Sequence, residues 1–183
     1  MRIGAIDTPA DLLQLSPEHS PVMLDWLWVG LRARDSGDVT APAGLRSPAK
    51  VEGRAWWDER LIQGRYLRTD ERLLLIESVR DVIGGRVELV LTCAELVGEQ
   101  AEYRPEGGAA VPCRVFITHS APVFDDENKV TDYRILAELA LIEVGRCQVD
   151  DQLLIGGQLY NMIDYAGSSD DGVVRGMYLE AVS

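Results

Sequence analysis

The chain reads as mainly β with N-terminal helices (α+β), built around a small antiparallel β-barrel or sandwich. Three observations predict this. Residues 111–182 hold four or five β-prone runs separated by turn signals. Gln152-Leu-Leu-Ile and Gln158-Leu-Tyr-Asn-Met-Ile flank Gly156-Gly157, a pair that accepts the positive φ angles of a two-residue hairpin turn. The first third instead carries clustered leucines behind helix-start residues.

Taken in order, Thr8 can cap a short helix with Pro9 in its first turn and Leu12, Leu13 and Leu15 following, and Ser16-Pro17 ends it. A second helix is expected over 21–34. Trp26 and Trp28 within it stand two apart, which is a strand spacing, and on a helix one of them needs a partner surface. Residues 35–54 are rich in Gly, Pro, Ser, Ala and Asp and read as a loop or arm. Trp56 and Trp57 follow directly. They are read as a docking patch or core edge rather than a small-ligand site.

A helix is expected over 58–83, with Asp70 as a cap and Leu73, Ile76, Val79 and Ile83 at spacings of three or four, stopped by Gly84-Gly85. Residues 86–97 alternate as a strand. Residues 99–118 form a hairpin turning at Pro105–Gly108, with Val111, Cys113, Val115 and Ile117 on one face. Residues 119–132 are expected to be a polar loop of about a dozen residues carrying Asp125-Asp126-Glu127-Asn128. A strand over 134–144 is apolar on both faces. The hairpin around Gly156-Gly157, a turn over 166–172 and a closing strand over 173–182 complete the chain. The expected organisation is an N-terminal extension, 1–56, with short helices and a flexible arm, then a helix plus β-barrel or sandwich domain, 57–183.

The net charge of −12 argues against nucleic-acid binding through clustered Lys and Arg, although an acidic wall suits a conduit that DNA must pass without sticking. Cys93, Cys113 and Cys147 are far apart and form no CxxC pair, which argues against zinc and fits free thiols in a reducing compartment. No run is long and apolar enough for a membrane helix. No cofactor or metal site is expected. Cys113, His119 and Asp125 occur in an order that permits a nucleophile, base and orienter, but Cys113 falls on an apolar strand face, where a core role is the simpler reading. The run 125–128 lacks the alternate-residue ligand pattern of a calcium loop and reads as a solvated tip. The two Gly-Gly pairs lack the Lys-Ser/Thr of a phosphate loop.

Arg114-Val-Phe-Ile117 with Phe124-Asp-Asp126, then Val149-Asp-Asp-Gln-Leu-Leu-Ile-Gly-Gly157, Leu159-Tyr-Asn-Met-Ile-Asp164, and Asp170-Asp-Gly172 with Met177-Tyr-Leu179 follow one another in a suggestive order. This order resembles the head–tail joining proteins of tailed bacteriophages, the lambda-type head-completion or stopper group. The resemblance covers 101–182. The chain departs from it in its long N-terminal extension and in Asp150-Asp151 where a Gly-Asp turn is usual.

The resemblance implies a non-enzymatic virion protein, assembled in the host cytoplasm. It would form a homo-oligomeric ring between portal or adaptor and tail, sealing the packaged head and letting DNA through without sequence-specific binding. Stopper, collar and tail terminator are alternative positions, and a small Cys/His hydrolase is the alternative of another class. In the ring, Asp125, Asp126, Glu127 and Asn128 are expected to face the lumen as a gate, with Trp56 and Trp57 docking.

Overall fold

A computed structural model describes residues 5–33, 43–125, 127, 129–167 and 170–182. The described chain is mainly strand, and the helix it contains among the described residues is a single turn. β1 (Thr8–Leu15), β2 (Pro21–Ala33), β3 (Arg46–Trp56), β4 (Tyr66–Arg68), β5 (Leu73–Arg80) and β6 (Glu88–Leu96) close one antiparallel barrel in the order β1-β2-β3-β6-β5-β4. β7 (Glu99–Arg104), β8 (Val111–Phe124), β9 (Val130–Ala140), the one-turn helix α1 (Leu141–Val144), β10 (Gln152–Ile155), β11 (Gln158–Ala166) and β12 (Val174–Ala181) form the second unit. Its barrel closes as β7-β8-β9-β12-β11-β10.

The two orders are the same, and so is the register. Aligned by pairing, Leu12↔Leu67 falls on Tyr103↔Leu153, and Pro9↔Trp28 falls on Gln100↔Arg114. Val29↔Ala55 falls on Val115↔Leu139, Ala55↔Leu89 on Leu139↔Arg175, and Tyr66↔Leu75 on Gln152↔Asn161. The fifth strand bulges at the same place in each: the pairing slips after Ile76↔Cys93 in one barrel and after Met162↔Leu179 in the other. Even the turn before the fourth strand repeats. Gly64 N donates to Ile76 O (2.9 Å) and Ile76 N to Arg65 O (2.8 Å); Asp150 N donates to Met162 O and Met162 N to Asp151 O, both 2.8 Å. Gly64 and Asp150 both hold positive φ there, 87° and 75°. The chain is thus one barrel design used twice.

Each barrel has its own core. Leu12, Val29, Leu67, Ile76, Leu91 and Cys93 fill the first; Val115, Leu139, Leu153, Met162, Met177 and Leu179 fill the second. Closure removes the sheet edges that an open sheet of this length would leave unpaired.

Several expectations are corrected. Neither N-terminal helix exists: residues 8–15 and 21–33 are β1 and β2, paired with each other. The expected arm is β3 over Arg46–Trp56, while 35–42 lies outside the described residues. The helix expected over 58–83 is a series of turns followed by β4 and β5. The twelve-residue loop over 119–132 is mostly strand, because β8 runs to Phe124 and β9 starts at Val130. The strand expected to reach Val144 ends at Ala140, where α1 begins. The boundary expected after residue 56 falls at the end of β3, inside the first barrel. The units divide instead between Val97 and Gly98, with the short turn Pro17–Ser20 grouped with the second. The second-half hairpins stand where they were expected, and Gly156 (φ 56°) and Gly157 (φ 87°) make the two-residue turn.

The division point carries its own constraint. A Cβ on Gly98 would lie 2.5 Å from the carbonyl oxygen of Val115, and that atom is backbone. Gly98→Ala is expected to destabilise the second barrel by about 2–4 kcal/mol through forced strand displacement. A lowered urea midpoint by circular dichroism checks it.

Candidate functional site: an outward tryptophan face and a projecting ribbon

Strand alternation sorts β2 cleanly. Leu27, Val29 and Leu31 point to the first core, so Trp26 and Trp28 point out. On β3, Val51 and Ala55 are buried and Trp56 faces out. The Val29↔Ala55 pairing puts Trp28 and Trp56 on adjacent strands and on the same side. All three are exposed, Trp56 most at 61%. Trp26 and Trp28 meet edge to face, with centroids 5.4 Å apart and planes at 80°. Trp57, expected to dock beside Trp56, has a partner already: the Arg86 guanidinium lies 5.4 Å from its ring centroid. The structure therefore groups Trp56 with Trp26 and Trp28. The spacing of two between the latter pair was the signal that could have found them.

Asp25, between these tryptophans and the turn after β3, joins a charged cluster. Arg60 reaches Asp25 (2.6 Å) and Asp58 (2.7 Å). Hydrogen bonds from Arg60 hold both carboxyls below the usual carboxylate range, and the guanidinium is pushed up in turn, first by Asp58.

In the second barrel the position of Trp28 is taken by Arg114. Glu143 of α1 engages its guanidinium (Nε–Oε1 2.9 Å) and accepts its backbone N–H (3.0 Å). The face that is bare and aromatic in the first barrel is thus tied to α1 in the second.

The second barrel has a projection. β8 pairs with β7 only as far as Val115, and β12 pairs with β9 only from Ile135 on. Beyond those limits, Ala121–Phe124 and Val130–Arg134 pair with each other, with irregularities between Thr118 and Ala121 and at Phe124. The ribbon extends about 15 Å at strand rise, and exposes Phe124, Val130 and Tyr133. At its tip, Asp125 Oδ1 accepts the N–H groups of Glu127 and Lys129, both at 2.9 Å, and Asp125 N donates to Lys129 O at 3.0 Å. Lys129 Nζ lies 2.6 Å from Glu127 in an exposed pair. Asp125 therefore has a structural role in shaping the turn, and Glu127 is the outward charge. Asp126 and Asn128 lie outside the described residues.

The Cys113–His119–Asp125 grouping is not assembled. Six residues of extended strand separate Cys113 from His119, roughly 20 Å. Cys113 is buried and its thiol is pushed up to about 12 by that burial, so the nucleophilic thiolate is disfavoured. Among the described residues no group of three or more His, Cys, Asp or Glu is arranged to hold a metal. No helix there is long and apolar enough to cross a membrane. No family model, no curated protein and no solved structure matches the chain.

Proposed function

We propose that this protein is a structural ring component of a tailed-phage neck, placed between portal or adaptor and tail. The observation that carries the reading is the β8–β9 ribbon: a rigid barrel presents a long two-stranded projection with a charged tip. Such a ribbon is marginally stable alone, and packing in an assembly would support it. In the ring the ribbon points to the lumen and Glu127 faces passing DNA, where like charge discourages sticking.

The bare face of Trp26, Trp28 and Trp56 contacts the neighbouring copy. Large aromatic side chains supply most of the energy at such contacts. In the ring this contact is heterologous, the face meeting a different surface of the next copy, which is the type that closes rings. The order of sequence motifs over 101–182, which resembles that of joining proteins, supports the same reading.

Replacing residues 125–129 by Gly-Asn, a two-residue turn, tests the gate. Particles carrying the shortened ribbon are expected to assemble and then lose packaged DNA, measured as nuclease-accessible genome. Full DNA retention would sink the gating role.

A further inference from the structure

We propose that the end of the second barrel, where β11 finishes and β12 begins, is a binding site for a small oxyanion, a carboxylate or a phosphate. The inference is independent of the ring reading and comes from comparing the two barrels position by position. On β12, Met177 and Leu179 point into the core, and Arg175 stands two residues earlier on the same side. Its counterpart in the first barrel is Leu89, a buried core residue paired with Ala55 as Arg175 is with Leu139. Tyr165 likewise stands where the first barrel has Val79, packed on its core. An apolar plug in one copy is replaced in the other by a guanidinium and a phenol.

A charged group at an inward position is costly without partners. Arg175 has one: Asp170 accepts from Nη2 (2.8 Å) and Nε (3.0 Å). The guanidinium also lies 5.7 Å from the centroid of the Tyr165 ring. Beside this pair opens a cavity of about 420 Å³, lined among others by Arg146, Gln148, Tyr165, Asp170 and Arg175. That volume is of the size that takes a small ligand. Arg146 is exposed at its wall, and among the described residues no carboxylate pairs with it. Its segment is held in place: Gln148 Nε2 donates to Arg146 O (3.1 Å), and Tyr165 O–H donates to Gln148 Oε1 (3.2 Å).

The described lining thus holds two arginines and one carboxylate, an excess of positive charge in a chain of net charge −12. The planar fork of an arginine matches carboxylate and phosphate oxygens in two-point contacts. An oxyanion seated between Arg146 and Arg175 balances the charge and leaves the Asp170 pair intact.

The test is a titration of the full chain, followed by amide and arginine Nε chemical shifts at constant ionic strength set with chloride. One arm adds inorganic phosphate, the second acetyl-glycylglycine, and the control is acetyl-glycylglycine amide. Saturable shifts at Arg146, Arg175 and Gly176 are expected with an oxyanion and not with the amide. The arm that saturates first identifies the source. Arg146→Gln, an exposed change, is expected to weaken binding about tenfold. Arg175→Leu installs the residue of the sister barrel and is expected to abolish binding in a folded chain. Absence of saturation in both arms, or binding unchanged in Arg146→Gln, would overturn the proposal. Should Arg175→Leu fail to fold, the Arg146→Gln comparison still decides.

Discussion

Asp151→Ala is expected to cost the second barrel roughly 3–5 kcal/mol, from the loss of three hydrogen bonds to one buried carboxylate. Asp151 is only 3% exposed and is the buried charged residue among those described. Its oxygens accept from the Tyr103 hydroxyl at 2.5 Å, Gln148 N at 2.7 Å and Glu106 N at 2.8 Å. One carboxylate thus ties β7 and the turn after it to the segment leading into β10. Truncation leaves a buried phenol and two amides without their acceptor, and each orphaned donor costs about 1–3 kcal/mol. Asp151→Asn is expected to cost less, because one oxygen remains to accept.

The measurement has a built-in separation. All four tryptophans, Trp26, Trp28, Trp56 and Trp57, lie in the first barrel. Tryptophan fluorescence reports that barrel, and far-UV circular dichroism reports both. The urea transition seen by dichroism is expected to split or fall in Asp151→Ala, with the fluorescence transition reporting the first barrel. An unchanged dichroism midpoint would show that the carboxylate carries no such weight.

Raising the pH from about 9 to about 12 is expected to produce the second large loss of stability. Cys93, Cys113 and Cys147 are free and buried, and desolvation pushes each thiol up to about 12 from the ordinary 9.0. In the unfolded chain these thiols ionise as pH passes 9; in the folded chain they keep their protons. The folded state then binds more protons, so stability falls as pH rises through this window. Each thiol contributes up to about 1.4 kcal/mol per pH unit, and the three together up to about 4. The Tyr103 phenol, raised first by burial and then by its bond to Asp151, adds to the fall above its ordinary value of 10.0. Urea midpoints measured across pH 8–11 check the slope, and the native thiols are expected to resist a disulfide reagent at pH 8. A flat profile, or rapid labelling of all three thiols, would contradict their burial.

The second half of the fold was legible because its strands are bounded by residues with one conformational use. Gly156-Gly157 and Pro105–Gly108 mark turns, and β8 alternates Cys113, Val115 and Ile117. The first half misled for a physical reason. The bulge at Glu77 inserts a residue, so successive inward positions Ile76 and Val79 stand three apart, which imitates a helical period. Leucines on β1 and β5, with Glu77 and Arg80 on β5, also favour helices, and strand pairing overrides that preference.

The duplication was hidden because equivalent positions carry unlike side chains: Leu12 and Tyr103, Trp28 and Arg114, Leu89 and Arg175. Register, which preserves which positions face inward, survives where residue identity does not. Of the candidate site, Trp56 and the charged tip could be read directly. The ribbon's length could not, since His119, Ser120 and Asp132 look like loop residues until the pairing is known.

Mass and symmetry decide whether the chain works as the proposed ring subunit. Light scattering on the purified protein, followed by electron microscopy of the same fractions and of the virion neck, is expected to show closed rings of many copies that the Trp26→Ser, Trp28→Ser, Trp56→Ser triple variant no longer forms. A single species of 20.2 kDa at every concentration, with no copy in the neck, would contradict it.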